Sequence, residues 1–243
     1  MIAIGNFIFK YRNNLFIFLY LLLFVPSPML FAPEMFGEKY YLYPIILGLL
    51  ITFAGEIIRG ITIGLAYIIR GGKDKKVYAE KLVTEGIFRH CRNPLYVGNI
   101  LMLLGVGVLA NSLIYVAVVM PVFLFIYQAI VLAEENFLRN KFGAQFDAYC
   151  SKVNRWLINF SGFSSTLNGM HFNYKRWLLK EYNTLLVWLI GIFALLIFKY
   201  PQLTPDSENR IILFGIIVIV LGAMYGYIRY LKKSGKMTDG IAP

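Results

Sequence analysis

The sequence predicts an all-α fold, a polytopic integral membrane helical bundle of about six transmembrane helices. Three observations carry this. The 243 residues are 58% hydrophobic with a mean hydropathy of +0.63, more than the surface of a water-soluble domain tolerates. Six apolar runs approach or exceed the roughly 20 residues needed to cross a hydrocarbon core. Cations gather in alternate loops, as they do when a chain crosses a membrane repeatedly.

The runs, in order, are 15–31, 43–69, 95–110, 113–133, 185–200 and 211–230. No short apolar segment with a small-residue cleavage site opens the chain, so the first run is expected to be a retained span. Gly55, Gly60 and Gly64 form a small-residue ladder on the second run, suited to close packing of a neighbouring helix. Ala110-Asn111-Ser112 breaks the apolar pattern briefly, which predicts that the third and fourth runs form an antiparallel hairpin. Residues 1–42 read as an N-terminal helix with an outer loop, 43–156 as a membrane core, and 157–243 as a loop followed by a C-terminal helix pair.

Charge fixes the expected orientation. Lys10 and Arg12 precede the first run, and Arg70, Lys73, Lys75, Lys76, Lys81, Arg89 and Arg92 follow the second. Arg139, Lys141, Lys152, Arg155, Lys175, Arg176 and Lys180 follow the fourth, and Lys232, Lys233 and Lys236 follow the last. The opposite loops carry Glu34, Glu38, Asp206 and Glu208. The positive-inside bias then places both termini, the 70–92 loop and the 134–182 segment in the cytoplasm. The net charge of +11 follows from this asymmetry and fits attraction to anionic headgroups better than a nucleic-acid surface. Cys91 and Cys150 fall on the side where thiols stay reduced. With His90 and His171 scattered and no C-x-x-C spacing, no metal site is readable.

Polar residues inside the apolar runs are candidates for function. Glu56 and Arg59 are three apart and share a helical face. Charges at that depth cost about 2.5–3.5 kcal/mol each on insertion scales, so they form a mutual ion pair or the polar wall of a cavity. Asn93 precedes Pro94, a helix-start signature in which Asn accepts from an early amide and Pro occupies the first turn. The exposed amides of such a start favour a ligand carboxylate or phosphate, although for Asn-Pro taken alone plain capping of a membrane helix is the better account. Glu134 and Glu135 come where the fourth run ends, close to a helix C-terminus unless the helix runs on, a place where carboxylates oppose the helix dipole. The hairpin brings them to the same membrane face as Asn93 and Tyr96.

The ordered set LVTEGIF, RNPLYVGN, GVGVLANS and EENFLRNKFGAQFDAYCSKVNRW, with Gly55 and Arg59 before it, resembles the isoprenylcysteine carboxyl methyltransferase-like membrane family, which is similar to the phospholipid methyltransferases. The last stretch meets a family pattern at Glu134, Glu135, Phe142, Gly143, Phe146, Tyr149, Val153 and Arg155. The resemblance covers roughly residues 50–156. It implies S-adenosylmethionine in a cytoplasm-facing pocket and a lipid or lipidated acceptor, a carboxylate or an amine, entering from the membrane. Leu82, Val83, Phe88, Arg92, Asn93, Pro94, Leu95, Tyr96 and Glu134 are the implied cofactor-binding residues. Arg59, Glu56 and Glu135 are the candidate catalytic residues, Arg59 for the acceptor's head and the two acids for a proton from an amine acceptor. The chain departs from the family where prenylcysteine enzymes place an Arg one turn before the acids, for it has Tyr127-Gln128-Ala129-Ile130 there. Two other readings remain open at this point. One is an NADPH-dependent membrane sterol-type reductase, and the other is a non-enzymatic membrane protein or transporter on the same scaffold.

Overall fold

The computed structural model describes residues 1–65 and 79–238. The end of the second apolar run, 66–69, and the cations Arg70, Lys73, Lys75 and Lys76 lie outside the described residues. Among the described residues there are helices and loops but no strand, only an isolated bridge between Met29 and Ser112.

The helices are α1 (Ile2–Leu21), α2 (Pro33–Phe36), α3 (Leu42–Leu65), α4 (Pro94–Leu109), α5 (Met120–Phe142), α6 (Ala144–Lys152), α7 (Phe163–Asn168), α8 (Tyr174–Lys199) and α9 (Ser207–Lys233). A π-helical turn, Tyr115–Val119, runs into α5. Among the described residues four helices are long and apolar enough to span a membrane: α3, α5 with its π turn, α8 and α9.

The first run behaves differently from expectation. Its helix starts near the chain's beginning and bends by 77° between Ile2–Arg12 and Asn14–Phe24. The helical path stops at Phe24 instead of continuing to residue 31. Pro26 and Pro28 explain the stop, since proline lacks an amide to donate and clashes with the preceding turn. The third run is also shorter than a full span. Its 16 residues in α4 rise about 24 Å at about 1.5 Å each, against a hydrocarbon core of about 30 Å. The fifth run gains length: α8 begins at Tyr174, so the expected 157–182 loop contains α7 and the first turns of α8.

Helix α3 packs along α4, and glycine permits the close approach. A Cβ at Gly55 would lie 2.6 Å from the Gly98 carbonyl oxygen, and one at Gly98 would lie 2.7 Å from that of Gly55. Helix α1 packs on α5, α8 on α3 and α9. The expected turn between the third and fourth runs is present. Asn111 takes a positive φ of 50°, and its side chain accepts from the Phe31 amide at 2.9 Å and donates to the Phe31 carbonyl at 3.0 Å. Leu113 N–H also donates to Pro28 O. The 25–41 and 110–114 connections therefore meet at one end of the bundle, with Gln202 bonded to Tyr40 there.

At the other end, residues 79–93 meet the 153–173 stretch. Arg92 N–H donates to Asn154 O and Asn159 N–H to His90 O, each at 2.9 Å. His90 is 3% exposed. Its Nδ1 lies 2.6 Å from Asn159 O, and its Nε2 lies 2.8 Å from Thr166 Oγ1. Arg176 donates to the Ile63 and Gly64 carbonyls, tying the start of α8 to α3.

Candidate active site

Between these elements lies a cavity of about 960 Å³. All nine residues implied as cofactor-binding line it, namely Leu82, Val83, Phe88, Arg92, Asn93, Pro94, Leu95, Tyr96 and Glu134. Arg59 and Glu135 line it as well, while Glu56 stands behind Arg59 on α3.

The helix start at Asn93 forms for a reason other than the expected one. Pro94 occupies the first turn of α4, yet the Asn93 side chain makes no capping bond. Its Nδ2 instead donates to Arg155 O at 3.2 Å. Asn93 thus pins the stretch after α6 against the start of α4.

The acids also lie differently from expectation. Helix α5 runs on to Phe142, so Glu134 and Glu135 sit inside it and escape the unfavourable dipole end. Consecutive helical residues point about 100° apart, and the two acids take different partners. Glu134 accepts from the Tyr96 hydroxyl at 2.8 Å. Glu135, 5% exposed, accepts from Arg155 Nε at 3.0 Å and Nη2 at 2.7 Å, and Arg92 Nη2 lies 3.2 Å away. Both carboxylate oxygens of Glu135 are therefore engaged by guanidiniums, which suits a clamp that orients Arg92 and Arg155. The bond to Glu135 raises the Arg155 pKa above the ordinary arginine value. Arg92 also donates from Nη1 to Cys150 O at 3.0 Å, and its buried Nε has no hydrogen-bond partner among the described residues.

Helix α6 closes the same end. The Tyr149 hydroxyl donates to Phe88 O at 2.7 Å, and burial pushes its phenol pKa up. Phe88, Phe146 and Tyr149 supply aromatic faces to the cavity. Cys91 is fully buried, and burial raises its thiol pKa.

Arg59 is 3% exposed. Its Nε donates to Glu181 Oε1 at 2.9 Å, and Nη2 reaches the same oxygen. Nη1 reaches Asn99 Oδ1, while Glu56 lies 3.8 Å off. The expected alternatives for Arg59, a pair with Glu56 or a cavity wall, are thus joined by a third partner. Glu181 is fully buried on α8, 122 positions from Arg59, and no local pattern could have revealed it. Asn99, Tyr127 and Asn183 are further polar lining residues that sequence reasoning missed. Asn99 closes the RNPLYVGN motif and lies on α4 a little under two turns after Asn93, and that place in the motif is the signal available for it.

Helices α1 and α8 contribute Phe16, Ile17, Leu21, Val187, Ile190 and Gly191 to the apolar part of the cavity. Among the described residues the two share no extensive packed interface. Arg12, also on the wall, stacks over Phe9 with its guanidinium 4.5 Å from the ring centroid.

A membrane helical bundle holding a mostly apolar cavity with a charged polar end is the class of protein that the fold and the site define. Residues 45–145 match the phospholipid methyltransferase family. The chain is 39% identical over 72 residues to a cobalt-zinc-cadmium resistance protein of Cupriavidus metallidurans, covering 30% of this chain and 33% of that protein. It is 32% identical over 85 residues to a nickel-cobalt-cadmium resistance protein of Alcaligenes xylosoxydans xylosoxydans, covering 35% and 39%. It is 32% identical over 134 residues to a probable protein-S-isoprenylcysteine O-methyltransferase of Oryza sativa subsp. indica, covering 53% and 66%. The matches thus span about a third to two thirds of these relatives' own lengths. No solved structure matches significantly.

Proposed function

We propose that this protein is an S-adenosylmethionine-dependent membrane methyltransferase acting on a lipid or lipidated acceptor at the cytoplasmic face. The observation that carries the reading is the single cavity in which the family's cofactor positions converge, with Glu134 and Tyr96 hydrogen-bonded on its wall. The donor set fits the cofactor. The buried Arg92 Nε is a donor with no partner among the described residues, suited to the cofactor's carboxylate. The Glu134 carboxylate suits its ammonium or ribose hydroxyls, and Phe88, Phe146 and Tyr149 suit its base.

When bound, S-adenosylmethionine supplies an electrophilic methyl group on a sulfonium. This chain's own residues would then act by position. Ordering of reactants supplies about 7–11 kcal/mol in well-oriented systems, and here the Arg92–Glu135–Arg155 clamp and the Asn93–Arg155 bond hold the donor end rigid. The gap between α1 and α8 admits an acceptor's hydrocarbon from the bilayer. Arg59, fixed by Glu181 and Asn99, meets the acceptor's polar head. A carboxylate acceptor needs no base. With both Glu135 oxygens engaged, Glu134 is the acid better placed to take a proton from an amine acceptor.

In this reading, residues 43–156 are the catalytic core, while 1–42 and 157–243 shape the acceptor side. Both termini and the polar end of the cavity face the cytoplasm, because cations cluster there. The test is transfer of isotope-labelled methyl from S-adenosylmethionine to membrane lipid extracts by the purified protein. Label in a lipid fraction supports the reading. No label in any fraction, together with thermal stabilisation by NADPH but not by S-adenosylhomocysteine, overturns it in favour of a reductase.

A further inference from the structure

Helices α8 and α9 lie outside the family match, and α9 has no buried residue. Its packing is against α8, so little within the protein holds it. Where α9 ends beside the first turns of α8, a second cavity of about 540 Å³ opens, lined by Tyr182, Asn183, Tyr225, Arg229, Lys232 and Lys233. Its charges are all positive. Among the described residues none of the three cations lies within ion-pair distance of a carboxylate. Two of the cations are held against the groove. Lys232 Nζ sits 5.2 Å from the Tyr182 ring centroid and donates to Leu179 O at 3.4 Å. Arg229 Nη1 donates to the Tyr225 hydroxyl at 3.3 Å. Tyr182 and Tyr225 rest against each other at 5.2 Å, forming an aromatic floor. Asn183 lines this groove and the main cavity alike.

We propose that the groove between α8 and α9 binds the phosphodiester headgroup of an anionic phospholipid, held by Arg229, Lys232 and Lys233 above Tyr182 and Tyr225. Charge complementarity selects the ligand, for basic pockets between membrane helices take anionic headgroups. The bound lipid bridges α8 and α9 and supplies the cohesion that α9 lacks. This site stands whatever the main cavity does.

The test uses the full chain in nanodiscs of phosphatidylcholine, with and without phosphatidylglycerol, read by melting temperature and by native mass spectrometry of retained lipid. Phosphatidylglycerol should raise the melting temperature of the parent and be retained as an adduct. The triple variant Arg229→Gln/Lys232→Gln/Lys233→Gln should melt like the parent in phosphatidylcholine alone and lose that gain. Its retention of the anionic lipid should fall roughly 100-fold, at about fivefold per cation removed. A control pair on the same face, Lys152→Gln/Lys175→Gln, should keep both gain and adduct. If the triple variant melts early in phosphatidylcholine, the single Lys232→Met variant and its adduct decide the matter. Equal retention by the parent and the groove variants would overturn the site. An equal loss in the control pair would reduce the effect to diffuse attraction. Stabilisation of the parent by inorganic phosphate in phosphatidylcholine discs would show a site for a free anion and overturn the assignment to lipid.

Discussion

Replacing Glu181 with Leu should destabilise this protein more than the matching change at Glu56, the other acid beside Arg59. The variant strands a guanidinium that is 3% exposed and removes the acceptor of both its Nε and Nη2. Removing one partner of a buried ion pair costs about 3–5 kcal/mol. The lower end applies, because Asn99 still accepts from Nη1 and Glu56 remains at 3.8 Å. For a chain of this size each kcal/mol lowers the melting temperature by about 2–4 °C, so a loss of about 3 kcal/mol is a fall of about 6–12 °C. Glu56→Leu should cost less, since its carboxylate lies beyond hydrogen-bond distance of Arg59. The double variant Arg59→Met/Glu181→Leu should recover most of the loss, as apolar replacement of a buried pair is neutral or stabilising by about 1–4 kcal/mol. Intrinsic tryptophan emission of the detergent-solubilised protein follows the melt. A Glu181→Leu variant that melts with the parent, or a double variant no better than the single, would refute the claim that Glu181 is the principal partner of Arg59.

Three further outcomes follow from the packing and topology. Gly98→Val should destabilise by about 1–3 kcal/mol or more through overpacking, because a Cβ there would already lie 2.5 Å from Arg59 Cγ; a melt equal to the parent's would contradict the α3–α4 approach. Burial raises the thiol pKa of both cysteines, so maleimide labelling should be slow near neutral pH and accelerate as pH rises, with Cys150 modified before the fully buried Cys91. Peptide mapping by mass spectrometry checks that order, and Cys91 reacting first would contradict it. Single cysteines at Ser207 and Ser234, at opposite ends of α9, should label from outside intact cells at the first position only; label at Ser234 alone would reverse the orientation.

What the sequence revealed and what it hid divide along a physical line. Apolar runs and the Ala110-Asn111-Ser112 break are local patterns, and α3, α4, α5, α8 and α9 appear where they indicate. The cavity wall was legible because Leu82–Tyr96 and Glu134 are grouped in ordered motifs. Lengths were less legible. The 77° bend in α1 and the continuation of α5 past Glu135 depend on tertiary support that periodicity does not record. The least legible feature was pairing at a distance. Asn93 announced a helix start but spends its amide on Arg155, and Arg59 announced a buried charge whose partner comes from a helix outside the recognised motifs.

Calorimetric titration of S-adenosylmethionine into the purified parent, Glu134→Ala and Asn93→Ala tests the central claim most directly. Measurable binding to the parent is expected. Each variant should bind more weakly, Glu134→Ala by about 1.5–3 kcal/mol for a hydrogen bond to a charged group. Asn93→Ala should lose affinity because the Arg155 stretch is no longer pinned to the start of α4. No binding to the parent, or equal affinity in all three folded proteins, would contradict the cavity's role as the methyl-donor site.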